Sequence, residues 1–245
     1  MKPPKAIVLA AGRGERMRPL TDHCPKPLLE VHGRPMIEWH LLALAEAGVR
    51  EVVVNLAWLE DRFVEHLGDG RRFGLSALHY SFEQRDHGGA LETAGGIATA
   101  LPWLADDPSD VFWVVSGDIH APDFRFDHQA LHHFDDPARL AHLWLVPNPP
   151  FLPDGDFGIG ADGMGVTGGP GADGRRWTYA NLALLRAGLL QGIPAGTRAP
   201  LGPLLHAGMR ERRISVEVYP GRWDNIGTPA QLAALNATAR EPATG

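Results

Sequence analysis

An α/β fold, with a mainly parallel sheet covered by helices on both faces, is what this sequence predicts, and three observations carry the expectation. Short and nearly continuous apolar runs, such as Ala6–Ala10, Glu51–Leu56 and Val111–Val115, have the texture of strands buried on both faces. These runs alternate along the chain with stretches whose apolar residues recur at helical spacing. The first run leads straight into a segment rich in glycine and arginine, Gly12-Arg13-Gly14-Glu15-Arg16-Met17-Arg18. Open α/β sheets place ligand loops at this point, outside the carboxyl end of a strand.

Taken in order, the first strand spans Ala6 to Ala10 and a loop from Gly12 to Lys26 follows. Leu28–Val31 is a short apolar piece ending at the turn His32-Gly33-Arg34-Pro35. Met36–Ala47 reads as a helix because Met36, Ile37, Leu41, Leu44 and Ala47 share one face, and Gly48 stands where helices stop. Glu51–Leu56 is the second strand, and Leu59–Leu67 is a helix ended by Gly68-Asp69-Gly70. Gly74–Phe82 alternates like a strand. Ala90–Leu104 is helical, with glycines interrupting its start. Val111–Val115 runs into Ser116-Gly117-Asp118. Phe126–Phe134 is a helix candidate that would carry His128, His132 and His133 on its surface, and Leu140–Val146 is another strand.

From Pro147 to Gly174 the chain turns rich in Gly, Pro and Asp. That is long for a structureless loop in a compact domain, so short strands near 157–159 and 163–167 are expected to form a β-hairpin insertion. Thr178–Leu185 and Ile214–Tyr219 are strands. A closing helix covers Pro229–Ala239, with Thr228 as N-cap and Pro229 at its first position, and the tail Arg240–Gly245 is expected to fray. No internal repeat is visible, and residues 1–245 read as one domain.

Composition narrows the function. A net charge of −6 argues against general nucleic-acid binding, and a basic loop in an acidic chain suits a small anion better than a polyanion. Cys24 is the only cysteine and reads as a loop residue, which suits a reducing compartment. The charged N-terminus is followed by an apolar run too short for a signal peptide, and no segment approaches the ~20 apolar residues of a membrane span. The expectation is a cytoplasmic protein without a membrane or nucleic-acid partner. Twelve histidines are present, but none has zinc-motif spacing.

Four constellations carry chemistry. In the first, Arg13, Arg16, Arg18 and Lys26 fall within fourteen residues around Gly12 and Gly14, whose missing Cβ atoms let backbone N–H groups approach an anion. This is neither a Walker A motif nor a dinucleotide fingerprint; it is an anion loop of unassigned class. Lys26 sits between two prolines, which stiffen the backbone and suit it to a point-charge contact with a phosphate. The second is Asp118 at the end of a buried strand, either a Mg²⁺ ligand or a turn residue. The third is Gly88–Gly96, where Glu92 and Thr93 offer an acceptor and a hydroxyl, or simply start a helix. In the fourth, Trp223–Thr228, two oxygen-bearing side chains precede a helix N-terminus, as a metal or phosphate site or as a plain cap.

Together these motifs resemble the sugar-1-phosphate nucleotidyltransferase family. The family pattern L-A-A-G-x-G-x-R-[ML]-x-P-L-T followed by P-K-P-L-L stands here as Leu9–Thr21 and Pro25–Leu29. The pair Gly117-Asp118 and the run Trp223–Pro229 follow in order. Leu67–Gly70, Phe73-Gly74, Leu91–Ile97 and Gly155–Gly158 are similar to the N-acetylmuramate-1-phosphate uridylyltransferase branch, which works in cell-wall recycling. The resemblance implies a Rossmann-like, mainly parallel mixed sheet, the nucleotide-diphospho-sugar transferase fold. It implies an enzyme that joins an NTP, here UTP, to a sugar 1-phosphate with Mg²⁺. A monomeric state is compatible with the sequence. Ala11, Gly12 and Gly14 would lie under the nucleotide, with Glu92, Thr93 and Gly96 beside it. Arg16 would hold the β- and γ-phosphates and Lys26 the phosphoryl group under attack. Asp118 and Asn225 would hold the metal, and Asp156, Gly158 and Asn181 the sugar. Asn225 departs from the Asp found in much of the family and removes one negative charge, so weaker Mg²⁺ binding is expected. Tyr179–Ala183 departs from the branch's usual sugar-side strand. A mannose-1-phosphate guanylyltransferase-like enzyme and a non-catalytic nucleotide-sugar binding module are the alternatives.

Overall fold

The computed structural model describes residues 4–238. Strand β1 (Ala6–Leu9) leads through three 3-10 turns to the ribbon β2 (Glu30–Val31) and β3 (Arg34–Pro35). Helix α1 (Met36–Glu46), strand β4 (Glu51–Leu56), helix α2 (Glu60–Leu67) and strand β5 (Ala77–Phe82) follow. Then come the short helix α3 (Glu83–His87), helix α4 (Glu92–Leu104), β6 (Val111–Ser116) and β7 (Ile119–His120). Past a 3-10 segment lie β8 (Ala141–Val146), the hairpin β9 (Gly158–Ile159) and β10 (Gly165–Val166), and β11 (Thr178–Arg186). The described chain closes with α5 (Gly202–Arg210), β12 (Ile214–Val218), β13 (Asp224–Asn225) and α6 (Pro229–Ala237).

Seven strands form one sheet in the order β12-β8-β11-β6-β1-β4-β5. β1 pairs in parallel with β4 and β6, β4 with β5, and β12 with β8. β11 alone in this sheet runs antiparallel, between β6 and β8. The apolar texture of the strands follows from this arrangement. Ala6, Val8, Val52, Val54, Trp113 and Val115 face one core, with Ile37, Leu41 and Leu44 of α1 and Phe63 of α2. Their neighbours Ile7, Val53, Phe112 and Val114 face the other, with Ile97 of α4 and Met209 of α5. Side chains alternate across a strand, so a strand covered on both faces needs apolar residues at every position.

Two elements differ from the sequence expectation. The strand expected from Gly74 begins at Ala77, because Gly70 and Gly74, both left-handed, bracket a 3-10 turn at Arg71–Phe73. The helix expected at Phe126–Phe134 is a 3-10 segment over His128–Phe134. Phe126 is pulled out of it to pack edge-on against Trp113, with ring centroids 5.1 Å apart. His128 and His132 are exposed as expected, but His133 is half-buried and stacked on His142. The hairpin insertion is present, with β9 antiparallel to β10, and the Thr228 hydroxyl accepts from Gln231 N to cap α6. Ala239 and the tail expected to fray lie outside the described residues. Among the described residues no helix is long and apolar enough to cross a membrane.

Candidate active site

The carboxyl ends of β1 and β6 open onto a cleft of about 870 Å³. Its floor begins where β1 stops. There Ala10 N donates to the Asn55 side chain at 3.0 Å, tying the start of the glycine loop to β4. Gly14 is left-handed, and a Cβ there would meet Lys26 Cβ and Thr21 Cγ2 at 3.1 Å, so the turn needs glycine. The Thr21 hydroxyl donates to Gly14 O at 2.9 Å and closes the loop on itself.

The four cations of this loop divide into two pairs. Arg13 donates to Thr21 O and to Asp22 and lies over the Trp58 ring at 3.6 Å, while Arg18 also pairs with Asp22. These two arginines hold the loop's shape. Arg16 and Lys26 line the cleft instead. Lys26 is buried in a 3-10 turn between its prolines, and its Nζ donates to Asp118 Oδ2 at 2.6 Å.

Asp118 follows Gly117, which lies so close to β1 that a Cβ would sit 3.1 Å from Leu9 O. Its second oxygen accepts from the Ser116 hydroxyl at 2.7 Å. Burial pushes the Asp118 carboxyl up, but the Lys26 ammonium and the Ser116 hydroxyl together outweigh it and hold the carboxyl below its ordinary value. Asn225 reaches the same rim through backbone pairing: β13 runs antiparallel to β7, with Asn225 opposite Ile119, the residue after Asp118. Both side chains line the cleft. The fit to a metal rests on this donor set. One carboxylate and one amide carbonyl are hard oxygen ligands, and so small a protein share suits Mg²⁺, which takes its other ligands from phosphates and water.

Ala11, Gly12, Gly14, Glu92 and Thr93, the residues expected beside a nucleotide, line the cleft. Glu92 has a left-handed backbone (φ 60°) and pairs with Arg198 at 2.8 Å. On the opposite side Asp156 and Asn181 line it. Asp156 accepts from Tyr179 N at 2.8 Å, and Asn181, also left-handed, sits where the pairing of β11 with β8 shifts register. Two expected residues are not brought to the wall. Gly96 packs inward, where a Cβ would lie 2.4 Å from Glu83 Oε1, and Gly158 packs on Gly171, whose backbone N a Cβ would meet at 2.4 Å. Both glycines let other parts of the chain pack closely against the backbone.

Sequence reasoning missed Glu83. It is fully buried, accepts from Asn55 Nδ2 and Leu91 N, both at 2.7 Å, and so ties the glycine loop to the loop before α4. Burial raises its carboxyl pKa in spite of those donors. An Asn inside the apolar run EVVVNL was the available signal for this network. Tyr179 and His206, which also line the cleft, were missed as well.

The chain has clear relatives among known proteins. The family model described as "Nucleotidyl transferase" matches residues 5–155, and the chain belongs to that family. The chain is 45% identical to an N-acetylmuramate alpha-1-phosphate uridylyltransferase of Neisseria meningitidis serogroup B, over 96% of this chain and 98% of that protein. A protein of the same name from Caulobacter vibrioides is 32% identical, over 95% and 96%. A mannose-1-phosphate guanylyltransferase of Mycobacterium tuberculosis is 36% identical, over only 46% of this chain and 30% of its own length. A solved Bacillus anthracis structure, assigned as a glucose-1-phosphate thymidylyltransferase, shares the fold with a TM-score of 0.77 and 19% identity, over 98% of this chain and 97% of that one.

Proposed function

We propose that this chain is a uridylyltransferase that joins UTP and N-acetylmuramate 1-phosphate into a UDP-sugar and releases pyrophosphate, in the cytoplasm and as one domain. The convergence of Arg16, Lys26 and Asp118 on one cleft wall carries the reaction class. The substrate rests on relatives that match over nearly their whole length, whereas the guanylyltransferases match over about half of this chain.

In this reaction an oxygen of the sugar 1-phosphate bonds to the α-phosphorus of UTP, and the bond from that phosphorus to the bridging oxygen of the leaving pyrophosphate breaks. The attacking phosphate is already ionised, so no general base is required. The difficulty is bringing anions together in line, and positioning with charge neutralisation answers it. Arg16 holds the β- and γ-phosphates that leave. Lys26, held in its stiff turn, meets the phosphoryl group under attack. Ala11, Gly12 and Gly14 present backbone to the nucleotide, and Thr93 and Glu92 border it. Asp156 and Asn181 face the sugar. Asp118 and Asn225 would hold Mg²⁺, which when bound supplies Lewis-acid neutralisation of the phosphates.

The test is pyrophosphate release from a matrix of UTP, GTP, CTP and dTTP against several sugar 1-phosphates. UTP with N-acetylmuramate 1-phosphate is expected to give the highest kcat/KM. A higher value for GTP with mannose 1-phosphate would overturn the substrate assignment. No release from any pair would overturn nucleotidyl transfer itself and leave a binding module.

A further inference from the structure

We propose a second metal site, for Zn²⁺ or a similar borderline transition ion, formed by His133, His142 and Glu217 at the β8–β12 edge of the sheet. None of the three lines the cleft. Their ligand atoms all lie within 4.8 Å of one another. His133 Nε2 stands 3.6 Å from Glu217 Oε2, and His142 Nε2 stands 3.7 Å from the same oxygen. Tetrahedral coordination with bonds of about 2.0–2.2 Å sets neighbouring ligand atoms roughly 3.3–3.6 Å apart, so both nitrogens are already near that spacing from the carboxylate.

The outer contacts leave the right atoms available. His142 is 1% exposed, and its Nδ1 is engaged by the Ser215 hydroxyl at 2.9 Å. Its Nε2, aimed at Glu217, has no hydrogen-bond partner among the described residues. A buried imidazole nitrogen held 3.7 Å from a carboxylate oxygen, beyond hydrogen-bond reach, calls for an explanation. A metal ligand whose other ring nitrogen is held by a hydroxyl supplies one. Trp144 Nε1 donates to Glu217 Oε1, which leaves Oε2 for the ion. Two imidazoles and one carboxylate favour Zn²⁺, Cu²⁺ or Ni²⁺ over Mg²⁺. Glu217 is partly exposed and gives solvent access. Water or the exposed His132, whose ring lies 4.0 Å from His133, can take a fourth position.

Two features oppose the ion. Arg139 acts electrostatically on both rings, although it pairs with Asp136 at 3.7 Å. The rings of His133 and His142 are stacked, 3.6 Å apart and 7° from parallel, so their lone pairs run side by side. Convergence on one ion therefore needs one ring to turn. His142 is locked by Ser215, so the ring that turns is His133, which sits half-exposed on the 3-10 segment.

The test uses the full chain without a histidine tag and Co²⁺ as the probe. One equivalent should give a visible d–d absorption band that Zn²⁺ displaces. The band should persist in Asp118→Asn and be lost in His133→Ala and in Glu217→Gln. Zn²⁺ at about a hundredfold over its dissociation constant should raise the wild-type Tm by roughly 5–10 °C. Circular dichroism checks that the variants fold, and Glu217→Gln decides alone if His133→Ala does not. No band, a band that survives in the folded cluster variants, or a band lost in Asp118→Asn would overturn the site.

Discussion

Replacing Lys26 with alanine removes the ammonium that touches Asp118 and lines the cleft where the phosphates would meet. The side chain is 7% exposed, so its charge is little screened by water. Two unit charges about 4 Å apart at an effective dielectric near 20 interact by about 4 kcal/mol. Loss of a preorganised donor of this kind costs about 3–4 kcal/mol of transition-state stabilisation, or roughly a hundred- to a thousandfold in kcat. Lys26→Met keeps the stem and should lose about as much as Lys26→Ala. A second effect follows from Asp118. With Lys26 gone, burial acts on its carboxyl with the ammonium no longer opposing it, so its pKa rises. The acid limb of the kcat/KM profile should therefore move to higher pH. The assay is pyrophosphate release across pH 4–8 with the sugar 1-phosphate varied at fixed UTP and Mg²⁺, with a thermal melt to confirm the fold. A folded variant with kcat within tenfold of wild type and an unmoved acid limb would refute the role given to Lys26.

Asn225→Asp puts a carboxylate at the proposed metal site and should lower the Mg²⁺ concentration for half-maximal rate by about tenfold, the equivalent of ~1.4 kcal/mol; an unchanged value in a Mg²⁺ titration counts against Asn225 as a ligand. Gly96→Ala drives a Cβ to 2.4 Å from Glu83 Oε1 and 2.7 Å from Asn55 Nδ2. It should destabilise by about 2–3 kcal/mol and lower Tm by roughly 5–10 °C, and an unchanged melt would remove the importance given to that buried network. His40 is buried and donates to Ile119 O at 2.9 Å, and burial pushes its pKa down to about 4. Below pH ~6.5 the unfolded chain takes up a proton that the folded ring refuses, so stability falls between pH 6.5 and 4, by up to about 3 kcal/mol from this group. Urea melts at stepped pH should show a shallower fall in His40→Gln; an identical slope would assign it elsewhere.

Strands β1, β4 and β6 were readable because burial on both faces leaves a short apolar run that few other structures produce. The α6 start was readable because its cap is local: Thr228, Pro229 and Gln231 lie within one turn. The glycine loop's residues were visible, but not which of its cations line the cleft. Asp22 decides that by drawing Arg13 and Arg18 away, and its position depends on the folded path of the loop. Glu83 was hidden for a related reason. It opens the polar run Glu83-Gln84-Arg85-Asp86-His87, which has the composition of a solvated helix. Only the meeting of β4 with the Leu91 loop buries its carboxylate. The 3-10 segment at His128–Phe134 failed as a helix because Phe126 packs into the aromatic nest, and that too is a tertiary preference.

The placing of Asp118 and Asn225 on one cleft depends on a very short ribbon. The ribbon that joins them has two residues on each side, below the length at which any periodicity can be read. Its register matters because a slip of one residue would turn Asn225 to the other face. Flanking contacts hold that register. Trp223 Nε1 donates to Ala180 O at 2.9 Å, and Gly227 N donates to the Gln231 side chain at 2.8 Å, so the ribbon is anchored on β11 before Asn225 and on α6 after it. Ala180 immediately precedes Asn181, the left-handed residue at the register shift of β11. One indole hydrogen bond thus links the strand carrying Asn225 to the strand carrying Asn181. A substitution that alters the path of β11 near Ala180 is therefore expected to shift Asn225 as well as Asn181, and Tyr179–Ala183 lies on that link.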